Sequence, residues 1–136
     1  MKLIAVFALG FAAVGCRSYI ELCDVTAERG EAETLVIHFR ADRDVTKAAQ
    51  FIGAGISVLP KGNSGVAADD LVRVGDSEEG PEPRYSFRAT FPLKGRKRSL
   101  LTTPGIHFLE FEAYGGNCGG PGGFYTNRVR VTCTVP

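Results

Sequence analysis

The sequence predicts an all-β chain, an antiparallel sandwich of about seven strands, and three observations carry that prediction. Apolar side chains recur with a period of two in segment after segment, as they do in strands buried on one face. Clusters of Gly, Pro, Asn and Asp separate those segments at short intervals. Only Thr46 to Gln50 offers a helical stretch. With 136 residues, 23% of them charged, seventeen glycines and seven prolines, the chain is one turn-rich globular domain and not a disordered or collagenous one.

Lys2 is followed by an apolar run from Leu3 to Gly15, too short to span a bilayer comfortably. Ala13 and Gly15 supply the small residues a signal peptidase needs before Cys16, and Gly10 with Ala12 forms a second such site. Residues 1–15 are therefore expected to be a signal peptide and 16–136 a secreted domain. Removing Lys2 and fourteen uncharged residues leaves fifteen basic and fifteen acidic side chains. A net charge of zero gives no attraction to phosphate backbones or anionic membranes. The expected partner is an extracellular protein or a cell-surface ligand, with no nucleic acid, no membrane after signal removal, and a monomeric state. Ala13-Val14-Gly15-Cys16 also resembles a bacterial lipobox, which implies a lipoprotein anchored through Cys16.

Tyr19 to Thr26 reads as a weak first strand. Thr34 to Asp42 alternates clearly, with Leu35, Ile37, Phe39 and Ala41 on one face and Val36, His38, Arg40 and Asp42 on the other. Phe51 to Val58 is a glycine-containing strand and Leu71 to Val74 a short edge strand, and Gly75 to Pro83 is an acidic, solvated loop whose prolines stop sheet extension. Arg84 to Phe91 turns Tyr85, Phe87, Ala89 and Phe91 inward. Ile106 to Tyr114 is the penultimate strand, and Arg128 to Val135 closes the chain with Val129, Val131, Cys133 and Val135 inside. Setting Leu109 and Phe111 opposite Val131 and Val129 places Glu110 across from Arg130 and Glu112 across from Arg128. Such cross-strand pairs contribute ~0.2–1 kcal/mol each and read as register-setting surface pairs.

Pro104-Gly105 opens the penultimate strand, and a glycine loop returns the chain into the last one. Over residues 104–135 the sequence resembles immunoglobulin-like sandwiches, although it lacks their core tryptophan and carries His107 near the place of their tyrosine corner. Cys16, Cys23, Cys118 and Cys133 allow three connectivities, among which spacing does not choose. The resemblance implies that the first strand runs parallel beside the last, with Cys16 level with Thr126. On that plan Cys16 meets Cys118 and Cys23 meets Cys133, giving two disulfides. With its short signal, small size and four cysteines, the chain is also similar in type to small secreted fungal proteins, effector-like ones among them. That likeness implies a virulence role at a host or cell surface and no cofactor.

No enzyme signature surrounds His38 or His107, the two imidazoles, and no CxxC or HxxxH spacing suggests a metal site. The carboxylate pairs Glu110 with Glu112, Asp69-Asp70 and Glu78-Glu79 have ordinary surface explanations. Gly115 to Gly123 lacks the Lys-Ser/Thr and following helix of a phosphate loop. No catalytic residue, metal ligand or cofactor is expected. The candidate binding residues are Gly116 and Asn117 in the glycine loop, Phe124 and Tyr125 after it as aromatic contact area, and the basic cluster Lys94, Arg96, Lys97 and Arg98. That cluster suits an acidic surface, or dibasic processing after Arg98. The function that follows is non-enzymatic binding; the alternative is a lipid or small-molecule carrier whose sheets part around an apolar cavity.

Overall fold

A computed structural model describes residues 17–59, 65–75 and 85–136. The expected signal peptide, Cys16 and most of the acidic loop lie outside the described residues, as does the side chain of Arg96. The strands are β1 (Ser18–Ile20), β2 (Leu22–Arg29), β3 (Thr34–Ala41), β4 (Phe51–Val58), β5 (Val66–Ala67), β6 (Asp70–Val74), β7 (Tyr85–Pro92), β8 (Gly105–Gly116), β9 (Phe124–Thr126) and β10 (Val129–Val135). They build a β-sandwich of two sheets. One has four strands in the order β2-β3-β7-β6; the other has six in the order β1-β9-β8-β4-β5, with β10 also paired to β8. Among the described residues all pairings are antiparallel except β1 with β9.

Alternation decides the faces. Leu35, Ile37, Phe39 and Ala41 of β3 and Phe87, Ala89 and Phe91 of β7 are buried, as are Leu109, Phe111 and Ala113 of β8. Phe39 stacks on Phe87 at 5.2 Å between ring centroids, and Phe111 meets Phe39 at 5.1 Å and Phe91 at 6.1 Å. Four rings thus fill the space between the sheets, offset or edge-on as their quadrupoles favour. The last hairpin has the expected register, Val129 opposite Phe111, Arg130 opposite Glu110 and Val131 opposite Leu109.

The last strand is broken at Asn127-Arg128, and two side chains bridge the break. Thr126 is buried, its hydroxyl accepting from the Ala113 amide at 2.9 Å and donating to a main-chain carbonyl. Asn127 accepts from the Leu22 amide at 2.7 Å through Oδ1 and donates to the Leu22 carbonyl, replacing a strand partner where the chain crosses from one sheet to the other.

Three expectations need correction. The weak first strand is two strands in different sheets, β1 and β2, parting at Glu21. The helix expected at Thr46 to Gln50 is only a 3-10 turn, Val45–Lys47, capped by Asp44, whereas an unforeseen helix, α1 (Ser99–Thr102), continues a 3-10 turn at Gly95–Arg98. Its formation is driven by burial of Leu100 and Leu101. The third concerns the cysteines, expected in two disulfides: β1 runs parallel to β9, the short strand ahead of the last one, and Ile20, not Cys16, is level with Thr126. Asn127 bonds Leu22, the residue before Cys23, while Cys133 lies six residues beyond Asn127, roughly 20 Å of strand and beyond the reach of a disulfide. Cys23, Cys118 and Cys133 are all free, and no disulfide is found among the described residues. Cys23 lies opposite Arg40, its Sγ 3.7 Å from that residue's carbonyl oxygen, and Cys133 is buried opposite His107.

Candidate functional site

Four aromatic side chains gather on the outer face of the six-stranded sheet. The register sets Tyr19 of β1 beside Tyr125 of β9, Tyr125 beside Tyr114 of β8, and Tyr114 beside Gly53 of β4. The three tyrosines thus form one row across adjacent strands, 46%, 46% and 42% exposed, with Tyr19 and Tyr125 rings 5.4 Å apart. Phe51, 63% exposed, faces outward one row closer to the sheet's end, opposite Gly116.

Tyr114 lies flat. A Cβ built on Gly53 would sit 2.8 Å from its Cε2 and 3.1 Å from its Cζ, and one on Gly55 would sit 3.8 Å from its Cε1. The ring therefore straddles the two glycines, one π-face on the sheet backbone and the other toward solvent. A strand interior loses packing at glycine, so two such positions on one face mark a close approach, here by the ring itself. Beside it runs a shallow groove of about 310 Å³, bordered by Tyr114, Glu112, Ser57, Gly55 and the Gly65–Ala67 segment. A smaller hollow of about 90 Å³ continues it between Ser57, Glu110, Glu112 and Arg128. Arg128 closes this end, its Nε donating to Glu112 at 3.1 Å and its Nη1 lying 3.9 Å from Glu110. With Arg130 also outward, the central part of the face carries two carboxylates and two guanidiniums. Beyond it, Ile106 and Phe108 are exposed at the start of β8.

The candidate residues read from sequence fall into two groups. Tyr125 belongs to the tyrosine row, but Phe124 is wholly buried, because it points inward where Tyr125 points outward; it is core and not contact area. Asn117 works inside its loop: its Oδ1 accepts from the Gln50 amide at 3.0 Å and its Nδ2 donates to the Pro121 carbonyl, while the Cys118 amide donates to Gln50 Oε1 at 2.7 Å. This reciprocal clasp fixes the glycine loop against the start of β4. Cys118 is exposed and Gly116 half-buried.

The basic cluster precedes the start of β8, whereas Tyr114 lies near that strand's end, but Lys97 reaches the Gly65 edge of the groove. Arg98 pairs with Glu33, and Lys97 Nζ donates to the Gly65 carbonyl at 3.3 Å, so both side chains tie the 3-10 turn to neighbouring loops. Lys94 is exposed ahead of that turn. His38 pairs with Glu28 at 2.8 Å on the outer face of the four-stranded sheet, and His107 bonds the Thr103 carbonyl at 2.9 Å. Among the described residues no three His, Cys, Asp or Glu side chains converge as metal ligands.

Sequence reading passed over Tyr19, Tyr114, Gly53 and Gly55. The available signal was parity: Tyr114, Phe108 and Ile106 occupy the face of β8 opposite Leu109, Phe111 and Ala113, where a solvated sheet carries polar residues. No family model matches the chain, and no curated protein matches it in sequence.

Proposed function

We propose that the protein is a secreted, non-enzymatic binding module with an immunoglobulin-like sandwich, engaging an extracellular protein or cell-surface ligand through the outer face of its six-stranded sheet. The row Tyr19, Tyr125, Tyr114 carries this reading. Exposed aromatics that cluster are uncommon on monomeric surfaces, and tyrosine is enriched where partners bind. The order β2-β3-β7-β6 against β4, β8 and β9/β10 supports the immunoglobulin-like plan, in which strands A, B, E, D face C, F, G. The stacked phenylalanines of the interior favour a binding surface outside the sandwich over a carrier's cavity within it. Secretion draws on the apolar leader ahead of Cys16, and an effector-like role at a host surface belongs to the same reading.

A bridge between Cys16 and Cys118 is part of the proposal. Its support is the parallel pairing of β1 with β9: the Ser18 amide donates to the Gly123 carbonyl at 3.0 Å, at the end of the loop that holds exposed Cys118, and Cys16 precedes Ser18 by two residues.

The test is retention of the fluorescently tagged secreted product on intact bacterial, fungal, plant and animal cells. Saturable retention on at least one, abolished in a Tyr19→Ser/Tyr125→Ser variant, is the expected result. Retention unchanged in that variant removes the tyrosine face from the function; no retention on any cell removes the cell-surface reading.

A further inference from the structure

The groove beside Tyr114 points to a chemical class of ligand, an inference that rests on the binding reading above and deepens it. The face of the tyrosine ring turned to solvent is a flat apolar platform of roughly the area of a six-membered sugar ring. The opposite face is pinned on Gly53 and Gly55, so the platform is held in place before any ligand arrives, and little ordering is left for binding to offset. Hydrogen-bonding groups border the groove beside the platform: the Glu112 carboxylate, which also accepts from Arg128, the Ser57 hydroxyl, and main-chain groups of the Gly65–Ala67 segment, whose Gly65 carbonyl also accepts from Lys97. An apolar ring face with donors and acceptors beside it complements a pyranose, whose C–H face is apolar and whose equatorial hydroxyls radiate outward.

Charge selects further. Glu110 and Glu112 face Arg128 and Arg130, and Lys97 adds one charge at the Gly65 edge, so this stretch of the face carries little net charge to attract an anionic or a cationic chain. The groove is shallow and continues into the hollow at Arg128, which suits an extended chain lying along the sheet. Tyr125, directly across from Tyr114 on the neighbouring strand, widens the platform in the perpendicular direction.

We infer that the outer face of the six-stranded sheet binds an uncharged saccharide chain, with one sugar ring stacked on Tyr114, the next unit toward Arg128, and Glu112 and Ser57 accepting or donating hydrogen bonds to ring hydroxyls. Gly55 keeps the groove open. A Cβ there meets Tyr114 Cε1 and the Val66 carbonyl only at ordinary contact distance, so the first carbon of a side chain fits and its further atoms project into the groove.

The test is native affinity electrophoresis of the secreted product in gels containing soluble β-glucan, xylan or mannan, with sedimentation on insoluble cellulose and chitin alongside. Expected is retardation or sedimentation by at least one uncharged glycan. Tyr114→Ala should weaken it about tenfold, the loss of one stacked ring; Tyr114→Phe should keep most of it; Gly55→Val should abolish it while unfolding at the wild-type denaturant midpoint. Ile106→Ser, at the far end of the face, should change nothing. The inference is overturned by indifference to every glycan, by equal binding of Tyr114→Ala, or by capture of a polyproline peptide on the same face with no glycan bound. Loss of cell retention in Tyr114→Ala, with no glycan recognised, would sink the saccharide assignment and leave the binding face standing; retention untouched by Tyr114→Ala and Gly55→Val would remove both.

Discussion

Tyr114 lies across Gly53 so closely that a methyl group there would sit 2.8 Å from its Cε2, while the same methyl at Gly55 would touch nothing closer than 3.8 Å. The two glycines therefore differ in what they permit. Gly53→Ala should lift the ring off the sheet. Because that ring is partly exposed and free to swing outward, the stability cost should stay within about 1 kcal/mol, offset in part by the reduced freedom of the unfolded chain. The near-ultraviolet circular dichroism should change more than the stability, and with no tryptophan in the chain that signal reports the tyrosines directly. Gly55→Ala should alter neither reading.

Thr126 is a buried polar side chain, and its value lies in the amide it satisfies. Thr126→Val keeps the shape and removes the acceptor, leaving the Ala113 amide buried without its partner. A loss of about 1–3 kcal/mol is expected in urea unfolding. Thr126→Ser retains the hydroxyl and should cost less than the valine variant despite deleting a methyl group. The reverse order would mean that packing, not the hydrogen bond, holds the break between β9 and β10 closed.

Asp44 ties the 3-10 turn at Val45–Lys47 to β6. It accepts from the Thr46 amide at 3.0 Å and from Arg73 Nη1 at 2.9 Å, and only 11% of its side chain is exposed. Burial pushes its carboxyl up, but the hydrogen bonds from Thr46 and Arg73 outweigh that and hold it below the usual carboxylate value. A depressed carboxyl stabilises the fold above the unfolded value of about 3.9 and loses that contribution as pH falls through the lower folded value. Asp44→Asn should therefore cost about 1–3 kcal/mol at pH 7, where a charged hydrogen-bond network is removed. The gap between wild type and variant should narrow in urea titrations as the pH is lowered through the acid range below about 4. A gap of constant size would show that the carboxylate's charge contributes nothing.

How legible the molecule was in its sequence depends on how local the deciding physics is. In β3, Leu35, Ile37, Phe39 and Ala41 alternate with polar residues over a full strand, and period two suffices to orient them. The last hairpin was readable to the residue because only one register puts Leu109 and Phe111 against Val131 and Val129. Phe124 and Tyr125 were not: β9 has three residues, and one step of parity, set by where Thr126 and Asn127 find partners 13 and 105 positions away, decides which ring is core. Helix α1 was hidden because four residues give no period, and it forms for the sake of Leu100 and Leu101. The tyrosine row spans three strands that sequence separates by up to 106 positions, so only the sheet order assembles it.

The cysteines test that sheet order chemically. With Asn127 bonded to Leu22, Cys133 stands about five residues beyond the level of Cys23 and both stay reduced, while Cys118 is left to pair with Cys16. Peptide mapping without reduction should recover a Cys16–Cys118 peptide and two unpaired cysteines. Those two should also react slowly in the folded protein. Partial burial, reinforced by Asp24, pushes the Cys23 thiol up against the opposing pull of Arg40, and burial pushes Cys133 up against that of Arg29. Since the thiolate is the nucleophile, their alkylation should need a higher pH than a free thiol does, with Cys133 the slower because it is also inaccessible. A Cys23–Cys133 peptide would overturn the clasp of Asn127 on Leu22. Ready alkylation of Cys118 in the secreted product, together with a lipid-modified Cys16, would instead replace the bridge with an anchor and place the tyrosine face beside a membrane.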